Sequence, residues 1–235
     1  MIPALLLSCS KSKTDVQNLV NSVSSENELT AFDTSSLSKG LVAFYPFKKN
    51  LFDYSGNNHN GTAVGTAIYV PDHKGKPNSA LQLGSARIVT DNFFNFKMTD
   101  TFSISVWFTS DINNAGGRLL STECPEGNFR VSSYGGGVYA WQLGSAQYYI
   151  YDTVASNTWN YLVYTYKKGK VQLYKNGVLK YSGTNSSTDA LNYCAPFTIG
   201  AKASPSYDMW QGNIENLRVY NRVLTKTEIN YLFKH

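Results

Sequence analysis

The chain has 235 residues, with 21 basic and 16 acidic side chains and a formal net charge of +5. Charged residues make up 16% and aromatic residues 14%, with 17 tyrosines; this balance excludes disorder, which needs high charge and few aromatics, and a coiled coil, which needs Glu, Lys and Leu in heptads. The lysines are scattered, with Lys167, Lys168 and Lys170 as the tightest group, so the basic stripe of a nucleic-acid surface is missing, and no apolar run reaches the roughly 18 residues of a membrane helix.

The amino terminus reads as an address. Residues 1–9 end in Leu6-Leu7-Ser8-Cys9, which resembles a bacterial lipobox, the cleavage motif before a lipid-carrying Cys. The alternative is an ordinary buried Cys after a short apolar run. Residues 10–39 follow as a polar tether, rich in serine and with Phe32 as their one aromatic. Lipid on Cys9 would hold the chain at the outer membrane of a bacterial cell envelope, facing the periplasm or the surface. Several acyl chains anchor stably because each buried CH2 adds about 0.8 kcal/mol. Cys124 and Cys194 remain as an even pair, expected to form a disulfide in an oxidising compartment or to lie unpaired in a β core.

Residues 40–235 read as one domain of strands and turns. Leu41 to Phe47 forms a first strand, with Pro46 suited to a strand end. In Thr101 to Thr109, Phe102, Ile104, Val106 and Phe108 share one face and Ser103, Ser105 and Trp107 the other. Trp159 to Tyr166 is a further strand, and Val171 to Tyr181 is a hairpin turning on Asn176-Gly177. Phe197 to Gly200 and Asn216 to Tyr220 are later strands. Thr225-Lys226-Thr227-Glu228 is a capping box that opens a short helix with Ile229, Leu232 and Phe233 on one face. The expected fold is all-β: a two-sheet antiparallel sandwich, or jelly roll, with a short C-terminal helix.

Five segments, in order, resemble the laminin G-like members of the concanavalin A-like lectin and glucanase superfamily. These are Gly40 to Phe47, the Asp53-Tyr54-Ser55-Gly56-Asn57-Asn58-His59-Asn60-Gly61 loop, Phe102 to Phe108, Trp159 to Gly177, and Gln211 to Phe233. The resemblance implies two antiparallel sheets, one of them concave. The chain departs from the family pattern twice: Asn160 stands where a His is usual after the strand Trp, and Glu215 where an Asp is usual in the last strand.

Asp53 is the best metal candidate, because calcium wants carboxylate and carbonyl oxygens and its loop is rich in Gly and Asn. The resemblance extends the set to carbonyls near Gly56 and Asn58 and to Glu215, around a structural calcium. The competing reading is a turn in which Asp53 caps loop N–H groups.

Catalysis has little support. The Glu-x-Asp-x-x-Glu run of the superfamily's glucanases is missing, and hydrolysis needs two carboxylates about 5–10 Å apart. Glu123 and Glu126 flank a turn, and His59, His73 and His235 pair with no nucleophile motif.

Binding fits better. Aromatic faces pack on sugars while Asn, Gln and Ser meet their hydroxyls. Tyr134, Tyr139, Trp141, Gln142, Gln147, Tyr148, Tyr149 and Tyr151 form one such group, and Tyr207 and Trp210 a second. The expected function is a non-catalytic, lectin-like domain of a lipid-anchored protein with a polysaccharide or glycan ligand. A protein-interaction or adhesion domain is the alternative, and a polysaccharide-degrading glycoside hydrolase the next.

Overall fold

The alternation in Phe102–Phe108 needs a partner surface for its apolar side, and the computed structural model supplies two. The structure describes residues 32–111, 113, 115–122, 129–135, 137–151, 155–185, 187, 193, 195–202 and 208–235. The chain divides into two compact units, Met1–Ser36 and Leu37–His235. In the first, the Ser35 N–H and hydroxyl both donate to the Asp33 carboxylate. The second is the sandwich described next.

Among the described residues, its strands are β1 (Leu41–Tyr45), β2 (Thr62–Gly65), β3 (Ile68–Val70), β4 (Ala80–Leu83), β5 (Ala86–Val89), β6 (Thr101–Phe108), β7 (Ala115–Ser121), β8 (Phe129–Tyr134), β9 (Val138–Leu143), β10 (Ala146–Tyr151), β11 (Asn160–Lys167), β12 (Lys170–Lys175), β13 (Val178–Thr184), β14 (Thr198–Ile199) and β15 (Gly212–Tyr220), followed by helix α1 (Lys226–Lys234). One sheet runs β13-β12-β11-β6-β15-β4-β3, with β1 also on β15. The other runs β10-β9-β8-β7-β14-β5-β2. The pairing within both is antiparallel.

The core lies between the sheets. Phe102, Ile104, Val106 and Phe108 of β6 meet Val131, Trp141, Leu143 and Ile199 from the facing sheet. Each side chain of this size contributes roughly 1.5–3 kcal/mol when fully buried.

The outer side of β6 is also buried. Helix α1 covers it: Ile229 and Leu232 pack with Trp107, Tyr161 and Val163, and the Phe233 ring stacks on Trp107 at 5.6 Å. The capping box starts this helix. The Glu228 N–H donates to the Thr225 hydroxyl, and the Thr225 N–H donates back to the Glu228 carboxylate. Arg222 grips the same carboxylate with two donors at 2.8 Å. Burial raises the Glu228 carboxyl, but Arg222 and the Thr225 donors outweigh it and hold it below its ordinary value.

Local turn chemistry sets the hairpins. Asn176 and Gly177 both take positive φ (51° and 77°), as a type I′ turn requires, and join β12 to β13. On β15 the register slips by one residue between Glu215 and Arg218. Asn216 sits in that bulge with φ of 50°, a conformation Asn tolerates.

Candidate functional site

The two-residue turn Gly144-Ser145 fixes the register of β9 and β10, and with it the direction of every side chain between Val138 and Tyr151. Leu143 pairs with Ala146, Trp141 with Tyr148, and Tyr139 with Ile150. The period of two then sends these residues inward and Gln142, Gln147, Tyr149 and Tyr151 outward.

This partition splits the aromatic group expected at a ligand surface. Tyr139, Trp141, Tyr148 and Trp210 are core residues instead. Trp141 is 0% exposed, with its ring flat on Tyr164 at 4.9 Å. Trp210 is equally buried, and its indole N–H donates to the Thr109 carbonyl at 2.8 Å. Tyr139 sits edge-on to Phe108, and burial pushes its phenol up to about 12. Tyr148 packs its ring against Tyr181. Large rings on the inward side of a strand bury more apolar area than they could against solvent, so packing takes them. Tyr207 lies outside the described residues, as do Cys9, Cys124, Cys194, Glu123 and Glu126.

The outward set forms a platform on β8, β9 and β10. Tyr134 is 46% and Tyr151 77% exposed. Tyr134 meets Tyr149 edge to face at 5.4 Å, and Tyr149 stacks on Tyr151 at 5.5 Å. The hydroxyls of Tyr134 and Tyr149 both donate to Gln147 Oε1, at 3.0 and 2.5 Å. Gln147 Nε2 donates to Gln142 Oε1 at 3.1 Å, and Gln142 Nε2 donates to the Gly144 carbonyl at 2.9 Å. This chain runs one way, so both amides have a fixed orientation. The tyrosine oxygens keep lone pairs free to accept from a ligand, and the Gln147 amide keeps a second N–H. Burial, then the Tyr134 hydroxyl and Tyr151, raise the Tyr149 phenol, against the opposing pull of Arg130. Arg130 stands across from Gln142 on β8. Beside the platform, Gln147, Tyr149 and Tyr151 line an open groove with Lys180 and Tyr181.

Asp53 and Glu215, expected around calcium, each hold partners within the protein. Asp53 Oδ1 accepts from the Phe44 and Ser55 N–H groups at 2.8 Å each. Its Oδ2 accepts from the Ser55 hydroxyl at 2.7 Å and the His59 N–H at 3.1 Å. Four donors aimed at one carboxylate fit the turn-capping reading and occupy lone pairs that a cation would need. Gly56 and Asn58 take positive φ (92° and 63°) in the same loop, which shapes the turn. Glu215 is fully buried and accepts from the His73 N–H, with the His73 ring nitrogen on its other oxygen. The His73 ring lies flat on Trp107 at 4.1 Å. Burial raises the Glu215 carboxyl, with His73 pulling the other way. Among the described residues, no group of three or more His, Cys, Asp or Glu could hold a metal. Nothing local in the sequence signals the His73–Glu215 pair, whose members are 142 positions apart.

The model of the concanavalin A-like lectin/glucanases superfamily matches residues 84–230. Among solved structures, domain 4 of AbnA, a GH43 extracellular arabinanase from Geobacillus stearothermophilus in complex with arabinotriose, is similar at TM-score 0.65 and 24% identity, covering 82% of this chain and 97% of that one. The binding domain of Paraclostridial Mosquitocidal Protein 1 follows at TM-score 0.67 and 21% identity, with 84% and 52% covered. Botulinum neurotoxin type C, in a structure concerned with its interaction with two ganglioside molecules, gives TM-score 0.67 and 16% identity, with 86% and 52% covered. The chain thus spans about half of each toxin chain. No curated protein matches the sequence. Two antiparallel sheets, the capped terminal helix and a family match over more than half its length agree: the chain belongs to the concanavalin A-like lectin/glucanase superfamily.

Proposed function

We propose that this domain binds carbohydrate without cleaving it, through the outward face of β8–β10. The observation that carries the reading is the shared acceptor: Gln147 Oε1 orders Tyr134 and Tyr149 beside the exposed Tyr151 ring. Ordered rings offer flat apolar faces to sugar C–H groups, and the fixed amides meet hydroxyls at little entropic cost. Similarity to a domain solved with arabinotriose, and to botulinum neurotoxin type C, whose cell entry depends on interaction with two ganglioside molecules, supports a glycan ligand. Among the described residues, the outward side of this platform carries no carboxylate, whereas glycoside hydrolysis needs two, about 5–10 Å apart.

A glycan array followed by isothermal titration tests this, with arabinotriose among the probes. The reading predicts saturable binding to at least one glycan and no release of reducing sugar across a polysaccharide panel. Silence of the whole array would remove it.

A protein-interaction role is the second reading, favoured by Phe52 and Tyr54, both more than half exposed on the loop after β1. A stoichiometric partner lost on Phe52→Ser would establish it. The proposal also includes a lipid on Cys9 that holds the domain in a bacterial cell envelope. Labelled palmitate that still enters a Cys9→Ala variant would contradict the anchor.

A further inference from the structure

A second polar groove lies away from the tyrosines, where β15 begins. Asn213 pairs with Gln82 across β15 and β4, and Gly212 with Leu83. Gly212 has φ of 151°, and a Cβ there would stand 2.1 Å from the Thr109 carbonyl oxygen. Only glycine permits this approach. It brings β15 against the segment after β6, where the Asp111 N–H donates to the Gln211 carbonyl at 2.8 Å. The turn before β11 is clipped on as well: the Asn157 N–H donates to the Ser110 carbonyl at 2.8 Å, and the Ser156 hydroxyl to Asp111 Oδ1 at 3.3 Å. Four separate stretches of chain thereby place Gln82, Asp111, Asn157, Gln211 and Asn213 around one open groove.

The hydrogen-bonding state of these groups points to a ligand. Asp111 Oδ1 is held by the Asn113 N–H and side-chain amide and by Ser156. Among the described residues, Asp111 Oδ2 and the side-chain amides of Gln82, Asn157 and Asn213 make no hydrogen bond within the protein. One anchored carboxylate and three uncommitted carboxamides therefore line a single concavity. A carboxamide both donates and accepts, and a carboxylate accepts; an alcohol does both. Among the described residues, no Lys, Arg or His lines the groove to balance an anion. The one carboxylate among its described residues is too little charge for calcium, which is normally held by several charged oxygens.

We propose that this groove is a second binding site, which recognises adjacent hydroxyls on a neutral sugar residue. It shares no residue with the platform on β8–β10 and stands or falls without it.

The test is a titration of the 15N-labelled full chain with the methyl glycosides of glucose, galactose, mannose and arabinose. Side-chain NH2 signals of Gln82, Asn157 and Asn213 report the groove. At least one glycoside is expected to shift them saturably, with Kd on the order of 1 mM, as suits a few exposed hydrogen bonds. Asn157→Gly keeps the positive φ of that turn, and Gln82→Ala alters an exposed position. Each should weaken binding about tenfold. The proposal is overturned by no saturable shift up to about 100 mM ligand, by an unchanged Kd in both groove variants, or by the same shifts appearing with calcium chloride alone.

Discussion

Tyr134 and Tyr149 pack edge to face and give both their hydroxyl protons to a single oxygen of Gln147. The pair is fixed before any ligand arrives, and its rings stand on the outward side of the sheet. Replacing Gln147 by Leu removes the shared acceptor and frees both rings to rotate. The variant should bind glycan about tenfold more weakly with little change in thermal stability. Calorimetric titration and a melting curve on the same sample check this.

The inward tyrosines and tryptophans should behave in the opposite way. Trp141 is sealed between the sheets on Tyr164, so Trp141→Ala should cost about 3–5 kcal/mol of stability. Urea unfolding measures that loss directly. Trp141→Phe should keep glycan affinity within about twofold, because this ring does not reach the ligand face.

How much of this was legible depended on the range of each interaction. Asn176-Gly177 and Thr225–Glu228 act within four residues, and both motifs carry their geometry in the sequence itself. The outward and inward sides of β9 were not separable. Val138-Tyr139-Ala140-Trp141-Gln142-Leu143 has apolar residues on both faces, so hydropathy shows no period of two. Only the register across Gly144-Ser145 separates Trp141 from Gln142. Trp210 precedes its strand and carries no periodic signal. Glu215 was read toward the Asp53 loop, yet its partner His73 comes from the loop before β4, a distant pairing set by the order of strands. Asp53 itself had two readings in the sequence, and the four donors around it favour the turn-capping one.

That count leads to a prediction about calcium. Asp53→Ala would strand the Phe44, Ser55 and His59 N–H groups, and should cost about 2 kcal/mol, or about 4–8 °C in Tm. A bound ion stabilises the state that binds it. Neither millimolar calcium nor a chelator should therefore move the Tm of the wild-type protein. Differential scanning calorimetry with and without the ion reads both outcomes.

The Arg222–Glu228 pair makes stability depend on acid. Because the folded carboxyl is held below its ordinary value of 4.5, the folded state binds fewer protons than the unfolded state between the two values. The pair's contribution is therefore complete above the ordinary value and is lost as pH falls through the depressed one. Glu228→Gln should cost about 1–2 kcal/mol at neutral pH. The gap from wild type should close as the solution is acidified. Urea unfolding across that range measures the gap; a difference that stays constant with pH would contradict this assignment.

The most direct test of the glycan platform is a binding isotherm for one array-selected glycan, measured on the wild type and on Tyr149→Ala at equal folded concentration. The account predicts a Kd at least about tenfold higher for the variant, with its Tm kept close to that of the wild type. An unchanged Kd in a folded Tyr149→Ala protein would contradict it and move the binding surface elsewhere on the sandwich.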